Sequence, residues 1–574
     1  MSRQSRHFSD QVFIGNSRDQ ILRDLQNASE PDLSESRYQL LPWVYPKLIE
    51  SNRRFIPRRS LLHILDKQTV AEHLSILLHD SQPLDQIVDY ISPGQEEACH
   101  CEDSLCPGSR ILFASLMRIG RELLMVDLYN QKSPRLCDSS LPFLDQSQLP
   151  KALNDLTEKE KQLFRHAQWQ LRCHYLKRLG PEDHEPRKLD NEAALPFLPI
   201  DDEEKIINGE LSIVRYIRID HEHHNLDENE NHFALKTFGK NSRVLSEEHF
   251  QDEFKANQQA PRHNRIVTVL AAFKHRERFH LIFPLATGGN LEELWKAFSA
   301  SNTSWYSTRW LLSECLGIAE GLVAIHQPTI TTGLGTQHHP VPQLHGDIKP
   351  RNILCFETAE GGTKSYNLKI SDFGVAHKVY EGSSLEISRV AHTKTYRPPE
   401  YDTEDFVDLN YDIWCLGCVY LEFITWAILG WSEVEDFARY RIYERDDPYT
   451  SITKGGDYED TFFKKEAQTP RWYDLSGLKF KIESNIKRTS KKTTTREQSI
   501  RINRGNIRIF CKVKESVARH IDKVISHEMC APEIQGFLDF IKTRMLVIDP
   551  GTRANSSDVE TFLRNMTNRW YNQN

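Results

Sequence analysis

Two short segments of the chain concentrate carboxylate, amide and ammonium side chains at close spacing: residues 345–354 (HGDIKPRNIL) and residues 371–374 (SDFG). Transfer of a phosphoryl group depends on a carboxylate that orients the attacking hydroxyl, a cation beside the transferred group, and oxygen ligands for magnesium. Asp347 and Lys349 supply the first two groups. Asn352 and Asp372 supply the hard oxygen donors that magnesium prefers. The motif therefore predicts a phosphoryl-transfer site with catalytic residues Asp347 and Lys349 and metal ligands Asn352 and Asp372.

These segments resemble the catalytic loop and the magnesium-binding segment of eukaryotic protein kinases, and the resemblance covers about residues 203–565. It implies ATP and Mg²⁺ as cofactors. Lys236, in residues 233–236 (FALK), stands where a lysine holds the α- and β-phosphates, and Glu253 stands where a glutamate orients that lysine. Residues 279–290 (FHLIFPLATGGN) resemble the hinge that faces adenine. The other residues that the resemblance implies in the nucleotide site are Gly209, Val214, Ala234, Phe283, Pro284, Ala286 and Leu354.

Further likeness to protein kinases lies nearer the C-terminus. Residues 396–400 (YRPPE) resemble the segment whose glutamate, here Glu400, pairs with a late arginine, here Arg553. Residues 412–417 (DIWCLG) resemble the buried helix that holds the catalytic loop. Thr393 stands where serine/threonine kinases carry a threonine that contacts the catalytic aspartate and lysine. The resemblance therefore implies an ATP-dependent protein serine/threonine kinase that transfers the γ-phosphate to a protein hydroxyl.

The sequence departs from this family pattern at two places. In the glycine-rich loop, Ile207 and Ser212 occupy the first and third glycine positions, and Gly209 keeps the second. Side chains therefore project where the backbone normally approaches the phosphates. Gly346 replaces the arginine that usually pairs with an activation-loop phosphate, and glycine has no side-chain donor for it. We therefore expect activity that does not depend on phosphorylation of the activation loop.

Two other functions are compatible with these motifs. A catalytically weak or inactive pseudokinase would keep them in a scaffold that binds partners, and the altered glycine-rich loop favours that function. Small-molecule phosphotransferases of the aminoglycoside kinase type also use His-Gly-Asp followed five residues later by Asn, and Gly346 strengthens this likeness. Those enzymes lack the Lys349-Pro350 pair and the Glu400 and Arg553 signature. A protein kinase is therefore the main hypothesis.

The pattern of apolar residues predicts an α+β fold. From about residue 203, short β-rich runs precede longer helices, so we place a bilobal kinase-like domain, with a β-rich N-lobe and a helical C-lobe, at residues 203–568. Residues 1–198 are expected to form a mostly helical domain that could bind a protein partner. In it, Thr157 and Glu160 predict a capping box, and the apolar residues that follow lie on one helical face: Leu163, Phe164, Ala167, Leu171 and Tyr175.

Three polar stretches are expected to lie outside the cores. Residues 181–202 are rich in proline and acidic residues, which indicates a linker. Residues 221–232 are acidic and histidine-rich and are expected to cap a solvated hairpin. Residues 431–515 form a long insertion that we expect to be a disordered or mobile loop, because its basic run, residues 487–498, has a composition that seldom packs. That run could also be a nuclear-import signal or a docking patch.

Cysteine and histidine residues suggest metal sites only weakly. Residues 99–106 (CHCEDSLC) could be joined by Cys137 or by residues 173–174 (CH), but this spacing matches no common structural zinc pattern, so free thiols are expected. The histidines of residues 221–232 are expected in a mobile hairpin, and a mobile hairpin preorganises no metal ligands.

The composition indicates a globular protein, with 39% hydrophobic and 27% charged residues. A net charge of −8 disfavours binding to nucleic acid or acidic membranes over the whole surface. The N-terminus lacks the apolar segment of a secretory signal, and runs such as residues 421–429 are shorter than a membrane span. We therefore expect a cytoplasmic protein, with a nuclear location left open, that binds ATP and a protein substrate but no nucleic acid and no membrane. The layout resembles kinase-domain proteins of filamentous fungi that carry a helical extension.

Overall fold

The structure is a computed structural model that divides the chain into two compact units, residues 1–247 with 269–284 and residues 248–268 with 285–574. The residues that it describes are 17–27, 30–31, 54–78, 82–94, 106, 108–131, 136–143, 149–180, 182–198, 206–208, 212–239, 243–298, 307–328, 341–360, 363–374, 376–378, 384–386, 393–446, 458–468 and 508–573.

The N-terminal part of the first unit is mostly helical in the described residues, as the apolar pattern predicts. Residues 17–27 are helical, and the further helices are α1 Arg58–Ile64, α2 Lys67–Leu77, α3 Leu84–Ile91, α4 Arg110–Arg118, α5 Leu124–Asn130 and α6 Glu158–Leu171. Their apolar faces enclose one core, in which Leu74, Phe113 and Phe164 are fully buried. A short strand pair, β1 Glu30–Pro31 with β2 Arg54–Phe55, completes this part.

Helix α6 begins at the predicted capping box. Thr157 Oγ1 accepts a hydrogen bond from Glu160 N at 3.3 Å, and Glu160 Oε2 accepts one from Thr157 N at 2.8 Å. Among the apolar residues, Phe164, Ala167 and Leu171 are buried as predicted, whereas Leu163 is 49% exposed because it lies beside the stripe rather than on it. Tyr175 lies beyond the helix, which ends where Cys173 forms a β-bridge with Ala194.

A seven-stranded sheet forms the rest of the first unit. Its strands are β3 Arg187–Lys188, β4 Phe197–Leu198, β5 Ile206–Asn208, β6 Ser212–Ile219, β7 His232–Phe238, β8 Ala271–His275 and β9 Arg278–Pro284, in the order β3-β8-β9-β7-β6-β4, with β5 also paired to β6. Alternation along β6 and β7 buries one face, where Ile217, Phe233 and Ile282 share a core. The other face of β6 and β7 is only half-buried.

Within residues 181–202, the part that the structure describes, residues 182–198, is not simply the linker that we expect from its composition. Strand β3 pairs in parallel with Phe273–Lys274 of β8, and β4 pairs antiparallel with Arg218–Ile219 of β6. Phe197 is buried against the sheet. Edge strands of two residues are held by backbone hydrogen bonds and need no apolar alternation. A stretch rich in proline and acidic residues therefore gives no sequence signal for them. The domain limits at residues 198 and 203 stay a prediction.

The connection between β6 and β7 is a hairpin, as expected, but two of its histidines are not solvated. His223 and His224 are both buried. His223 Nε2 accepts a hydrogen bond from Arg58 N at 3.1 Å, and Glu222 Oε2 accepts one from Arg59 N at 2.6 Å, at the start of α1. Burial lowers the pKa of His223 to about 4, so the ring is neutral and can accept this bond. The hairpin thus satisfies the first N–H groups of a helix in the N-terminal part of the unit.

The second unit is mainly helical. Its helices are α7 Arg243–Gln259, of which the residues from Glu248 onward belong to this unit, α8 Leu291–Ala297, α9 Thr308–His326, α10 Glu400–Thr403, α11 Asn410–Leu429, α12 Trp431–Tyr443, α13 Glu515–Ile525, α14 Pro532–Phe540 and α15 Ser556–Gln573. Its strands are β10 Gln343–Leu344, β11 Ile353–Glu360, β12 Thr363–Ile370, β13 His377–Lys378, β14 Leu385–Glu386, β15 Phe406–Val407, β16 Phe463–Gln468 and β17 Arg508–Val513, in the antiparallel pairs β10–β13, β11–β12, β14–β15 and β16–β17.

Helix α11 forms the centre of the second unit. Trp414, Tyr420 and Phe423 on this helix are fully buried. Among the described residues, α11 is the one helix that is long and apolar enough to cross a membrane, with a mean hydropathy of 1.5. The apolar run at residues 421–429 is therefore part of a longer apolar segment than we expect from the sequence. Of that segment, 94% is buried inside the protein, which is the environment of a core helix.

The insertion at residues 431–515 is folded wherever the structure describes it, so the expected disordered loop is wrong for these parts. Residues 431–443 form α12, and residues 463–468 and 508–513 form the β16–β17 hairpin. Apolar residues hold these elements to the unit, because Val434, Phe437 and Phe463 are buried in its main core. The basic run at residues 487–498 lies outside the described residues.

Candidate active site

The Asp347 carboxylate is held by three donors. Thr393 Oγ1 donates to Oδ1 at 2.7 Å, and Asn352 Nδ2 donates to Oδ2 at 3.0 Å. Lys349 Nζ lies 2.6 Å from Oδ2 and donates to Thr393 Oγ1 at 2.9 Å. The Asp347 and Lys349 side chains are 15% and 22% exposed, so this site is oriented and still open to solvent. We call Asp347, Lys349 and Thr393 the catalytic triangle.

The backbone that carries Asp347 is fastened to α11. Asp412, at the start of that helix, is fully buried. Its carboxylate accepts hydrogen bonds from His345 N at 2.8 Å and from Gly346 N at 2.9 Å, and it lies 2.9 Å from His326 Nε2. Two consecutive backbone N–H groups therefore meet one carboxylate, which fixes the turn immediately before Asp347.

Gly346 has the backbone conformation that glycine adopts most easily. Its φ is +78°, in the left-handed region, where a side chain on an L-residue costs about 1–2 kcal/mol. Glycine at position 346 therefore fits this turn, and it also leaves the site without the side-chain donor of the usual arginine.

His345 has a structural role. Its ring is fully buried, Nε2 donates to Ser371 O at 3.1 Å, and the ring centroid lies 5.2 Å from that of Phe373. Nδ1 accepts a hydrogen bond from Asp347 N at 3.3 Å. Nε2 and the ring therefore join His345 to residues 371–373, while Nδ1 fixes the turn at Asp347.

The predicted metal ligands, Asn352 and Asp372, lie on chain segments that are bonded to each other. Ser371 donates to Asn352 O through both N and Oγ, each at 2.9 Å. Asn352 Nδ2 donates to Asp347 O and Oδ2. Within the described part of the chain, Asn352 Oδ1 accepts no hydrogen bond. Asp372 is exposed and has a φ of +67°, a strained conformation for a non-glycine residue. An amide oxygen and an exposed carboxylate are donors that fit Mg²⁺.

The predicted glutamate of the nucleotide site lies near Asp372. Glu253, on α7, is buried. Glu253 Oε2 and Asp372 Oδ1 both lie close to Gly374: a Cβ atom at this position would be 3.2 Å from each of these oxygens. Asn257, one turn later, is also buried and satisfies its amide by donating to Glu253 O at 2.9 Å. Gly374 therefore leaves the space into which both carboxylates project.

Several predicted nucleotide-binding residues share one face of the first unit's sheet. Val214 of β6 is opposite Lys236 of β7, and Ala234 of β7 is opposite Phe283 of β9. Because Ala234 and Lys236 are two residues apart on one strand, all four side chains point to the half-buried face. Pro284 ends β9 opposite Phe233.

The remaining predicted nucleotide-binding residues lie elsewhere. Gly209 lies outside the described residues. Strand β5, before it, pairs with β6, with Ile207 opposite Val214. Ala286 is buried and Leu354 lies on β11, both in the second unit. The roles of these residues stay predictions.

Sequence reasoning missed a group of charged residues near the catalytic triangle. Glu459 and Asp460, which lie within the insertion just before β16, contact Arg397 and Arg441. A family motif cannot indicate these contacts, because the insertion has no counterpart in the motif. The predicted pair of Glu400 and Arg553 does form, with two hydrogen bonds of 2.7 and 2.9 Å.

Comparison with known proteins identifies the family of the chain. The family "Protein kinase domain" matches residues 209–559, more than half of the chain. A probable serine/threonine-protein kinase PBL28 of Arabidopsis thaliana is 29% identical over 28% of this chain and 39% of its own length. The serine/threonine-protein kinase pelle of Drosophila melanogaster is 33% identical over 25% of this chain and 26% of its own length. The serine/threonine-protein kinase DCLK1 of Rattus norvegicus is 27% identical over 33% of this chain and 37% of its own length.

These relatives are thus matched over less than two-fifths of their length. The family match covers β6 to β9 of the sheet and most of the helical second unit, and it confirms the predicted α+β fold. Protein kinases in general use ATP and Mg²⁺. The resemblance that the sequence motifs carry is confirmed: this chain belongs to the protein kinase family.

Proposed function

We propose that the chain is an ATP- and Mg²⁺-dependent kinase that phosphorylates serine or threonine in proteins. The observation that carries this proposal is the catalytic triangle, in which a threonine hydroxyl joins the carboxylate and the ammonium group of the catalytic loop. Relatives named as serine/threonine-protein kinases support the choice of acceptor.

The proposed mechanism assigns one task to each residue of the site. ATP, when bound with Mg²⁺, supplies the γ-phosphoryl group and a metal ion that offsets its charge. Asp347 orients the acceptor hydroxyl, and Lys349 balances the negative charge that develops beside it. Asn352 Oδ1 and Asp372 would hold the metal ion. Lys236 would bind the phosphates, so catalysis consists mainly of positioning and charge stabilisation.

Replacing Asp347 with asparagine is expected to reduce phosphoryl transfer by about a thousandfold, because the amide keeps the shape of the carboxylate but cannot accept the proton of the acceptor. The measurement is transfer of radiolabel from [γ-³²P]ATP to dephosphorylated casein. Asp436→Asn is the matched control, since the Asp436 side chain on α12 is 41% exposed and pairs only with Arg439 of the same helix among the described residues.

Two outcomes of this experiment would contradict the proposal. Equal transfer by Asp347→Asn would place the reaction at another site. If the natural protein binds nucleotide but transfers no phosphate, the result would favour the pseudokinase scaffold. The residues that replace two glycines in the glycine-rich loop favour the same alternative. The Glu400–Arg553 pair disfavours a small-molecule phosphotransferase, because those enzymes lack this signature.

Treatment with a protein phosphatase is expected to leave the rate of transfer unchanged, because Gly346 carries no side chain that could bind an activation-loop phosphate. The measurement is the initial rate before treatment and after treatment and removal of the phosphatase. A kinase with arginine at this position serves as the control and should lose activity. Loss of most of the activity of this chain would contradict the expectation.

A further inference from the structure

We propose that the insertion forms part of the phosphoacceptor site: Glu459 and Asp460 are positioning residues that hold residues 393–397 in the conformation that receives a protein substrate. The inference rests on the proposed function, since it concerns the same site. Residues 393–397 begin with Thr393 of the catalytic triangle, so their position determines whether the triangle forms.

The first contact joins Arg397 to Glu459. Arg397 Nη2 donates to Glu459 Oε2 at 2.7 Å and to Asp402 Oδ2 at 2.9 Å. The Arg397 side chain is only 6% exposed, so these charges are largely shielded from water. Hydrogen bonds between charged groups are about twice as strong as neutral ones. The pair of Arg397 and Glu459 therefore joins the insertion directly to residues 393–397.

The second contact joins Thr395 to Asp460. Thr395 Oγ1 donates to Asp460 Oδ2 at 3.3 Å. The other oxygen of that carboxylate accepts a hydrogen bond from Arg441 Nε at 2.7 Å. Arg441 Nη2 in turn donates to Glu422 Oε1 at 2.9 Å, and Glu422 Oε2 accepts from Tyr396 Oη at 2.8 Å. Three consecutive residues are therefore connected to the insertion: Thr395 and Arg397 directly, and Tyr396 through Glu422.

The insertion is itself held firmly at this point. Arg441 is buried, and its guanidinium lies 4.2 Å from the ring centroids of both Phe437 and Phe462. At the other end of the insertion, Lys514 Nζ donates to Arg441 O at 2.7 Å and to Glu459 O at 2.9 Å. Residues from both ends of the β16–β17 hairpin thus meet at Arg441.

This arrangement is more than is needed to attach a surface hairpin. A hairpin with no role beyond its own folding would need contacts only to its flanking residues. Glu459 and Asp460 instead contact Arg397 and Thr395, which follow Thr393. These contacts join residues 395–397 to the insertion, so their loss should loosen the segment that receives the protein acceptor. The insertion therefore belongs to the part of the site that binds the protein acceptor, not the nucleotide.

The test compares Glu459→Gln, Asp460→Asn and Thr395→Val with the full-length natural protein. Thr395→Val removes the bond to Asp460 while it leaves the pair of Asp460 and Arg441 intact, so it separates positioning from folding. Glu466→Gln is the matched control, because Glu466 lies on the same hairpin and pairs there with Lys464 and Lys512.

Two quantities are measured for each variant. Steady-state kinetics with dephosphorylated casein should show a KM for casein raised by about tenfold per lost contact, as expected for a hydrogen bond to a charged group. The KM for ATP should stay unchanged. Amide hydrogen exchange, which needs no catalytic activity, should become faster in residues 393–397 and not in α11.

The outcomes decide both proposals separately. A raised KM for casein with faster exchange confined to residues 393–397 supports the inference, provided that Glu466→Gln has no effect. Folded variants with unchanged KM and unchanged exchange overturn it. Exchange that rises equally across α11 would show a merely structural role and also overturn it. If the natural protein transfers no phosphate, the proposed function fails, and hydrogen exchange alone decides the positioning role.

Discussion

Replacing Arg553 with leucine lowers the free energy of unfolding of the second unit by about 3–5 kcal/mol, because the substitution leaves the buried Glu400 carboxylate without its partner. Arg553 Nη1 and Nη2 donate to the two oxygens of Glu400 at 2.7 and 2.9 Å, and neither side chain is more than 3% exposed. Nη1 also donates to Asn410 O at 2.7 Å, at the start of α11. One side chain thus joins α10 to the central helix.

Chemical denaturation followed by circular dichroism measures this effect. Arg564→Leu is the control, because Arg564 is half exposed and its pairs with Glu320 and Glu560 are at the surface, where ion pairs contribute about 0–1 kcal/mol. An unchanged denaturation midpoint for Arg553→Leu would refute the role that we assign to the pair.

Replacing Asp412 with alanine is expected to cost about 2–6 kcal/mol of stability, because the N–H groups of His345 and Gly346 lose their acceptor in a fully buried place. Phosphoryl transfer should be lost as well, since the turn that carries Asp347 is no longer fixed. Asp412→Asn should cost less than Asp412→Ala, because the amide keeps one oxygen acceptor.

The comparison needs stability and activity on the same preparations. Asp522→Ala is the control, since Asp522 is 65% exposed and pairs only at the surface with Lys542. If Asp412→Ala retained full transfer and full stability, the catalytic loop would be fixed by other contacts, and the role of α11 would have to be reassigned.

The catalytic segments were predictable because the chemistry requires particular residue types at short spacing. Asp347, Lys349 and Asn352 lie within six residues, and the structure joins them directly. The pairing of Glu400 with Arg553, which lie far apart in the sequence, was predictable only through the family resemblance, since spacing alone carries no information at that separation.

Other features were not predictable, for physical reasons. Strands β3 and β4 contain two residues each, too few to show an apolar alternation. His223 looks solvated in an acidic, histidine-rich hairpin, but its environment depends on the distant backbone of Arg58. The positions of Glu459 and Asp460 follow from how the insertion packs, which depends on Arg441 and the aromatic rings around it.

The pairing of β3 and β4 with the sheet has a practical consequence for protein fragments. A fragment that begins at residue 203 would lack both strands, and the hydrogen-bonding groups of Phe273–Lys274 and Arg218–Ile219 would be left unpaired. Exposed strand edges promote association between chains. A kinase-domain fragment should therefore begin before Cys173, because Cys173 and Leu176 form backbone bridges to Ala194, between these two strands, and to His224 in the β6–β7 hairpin.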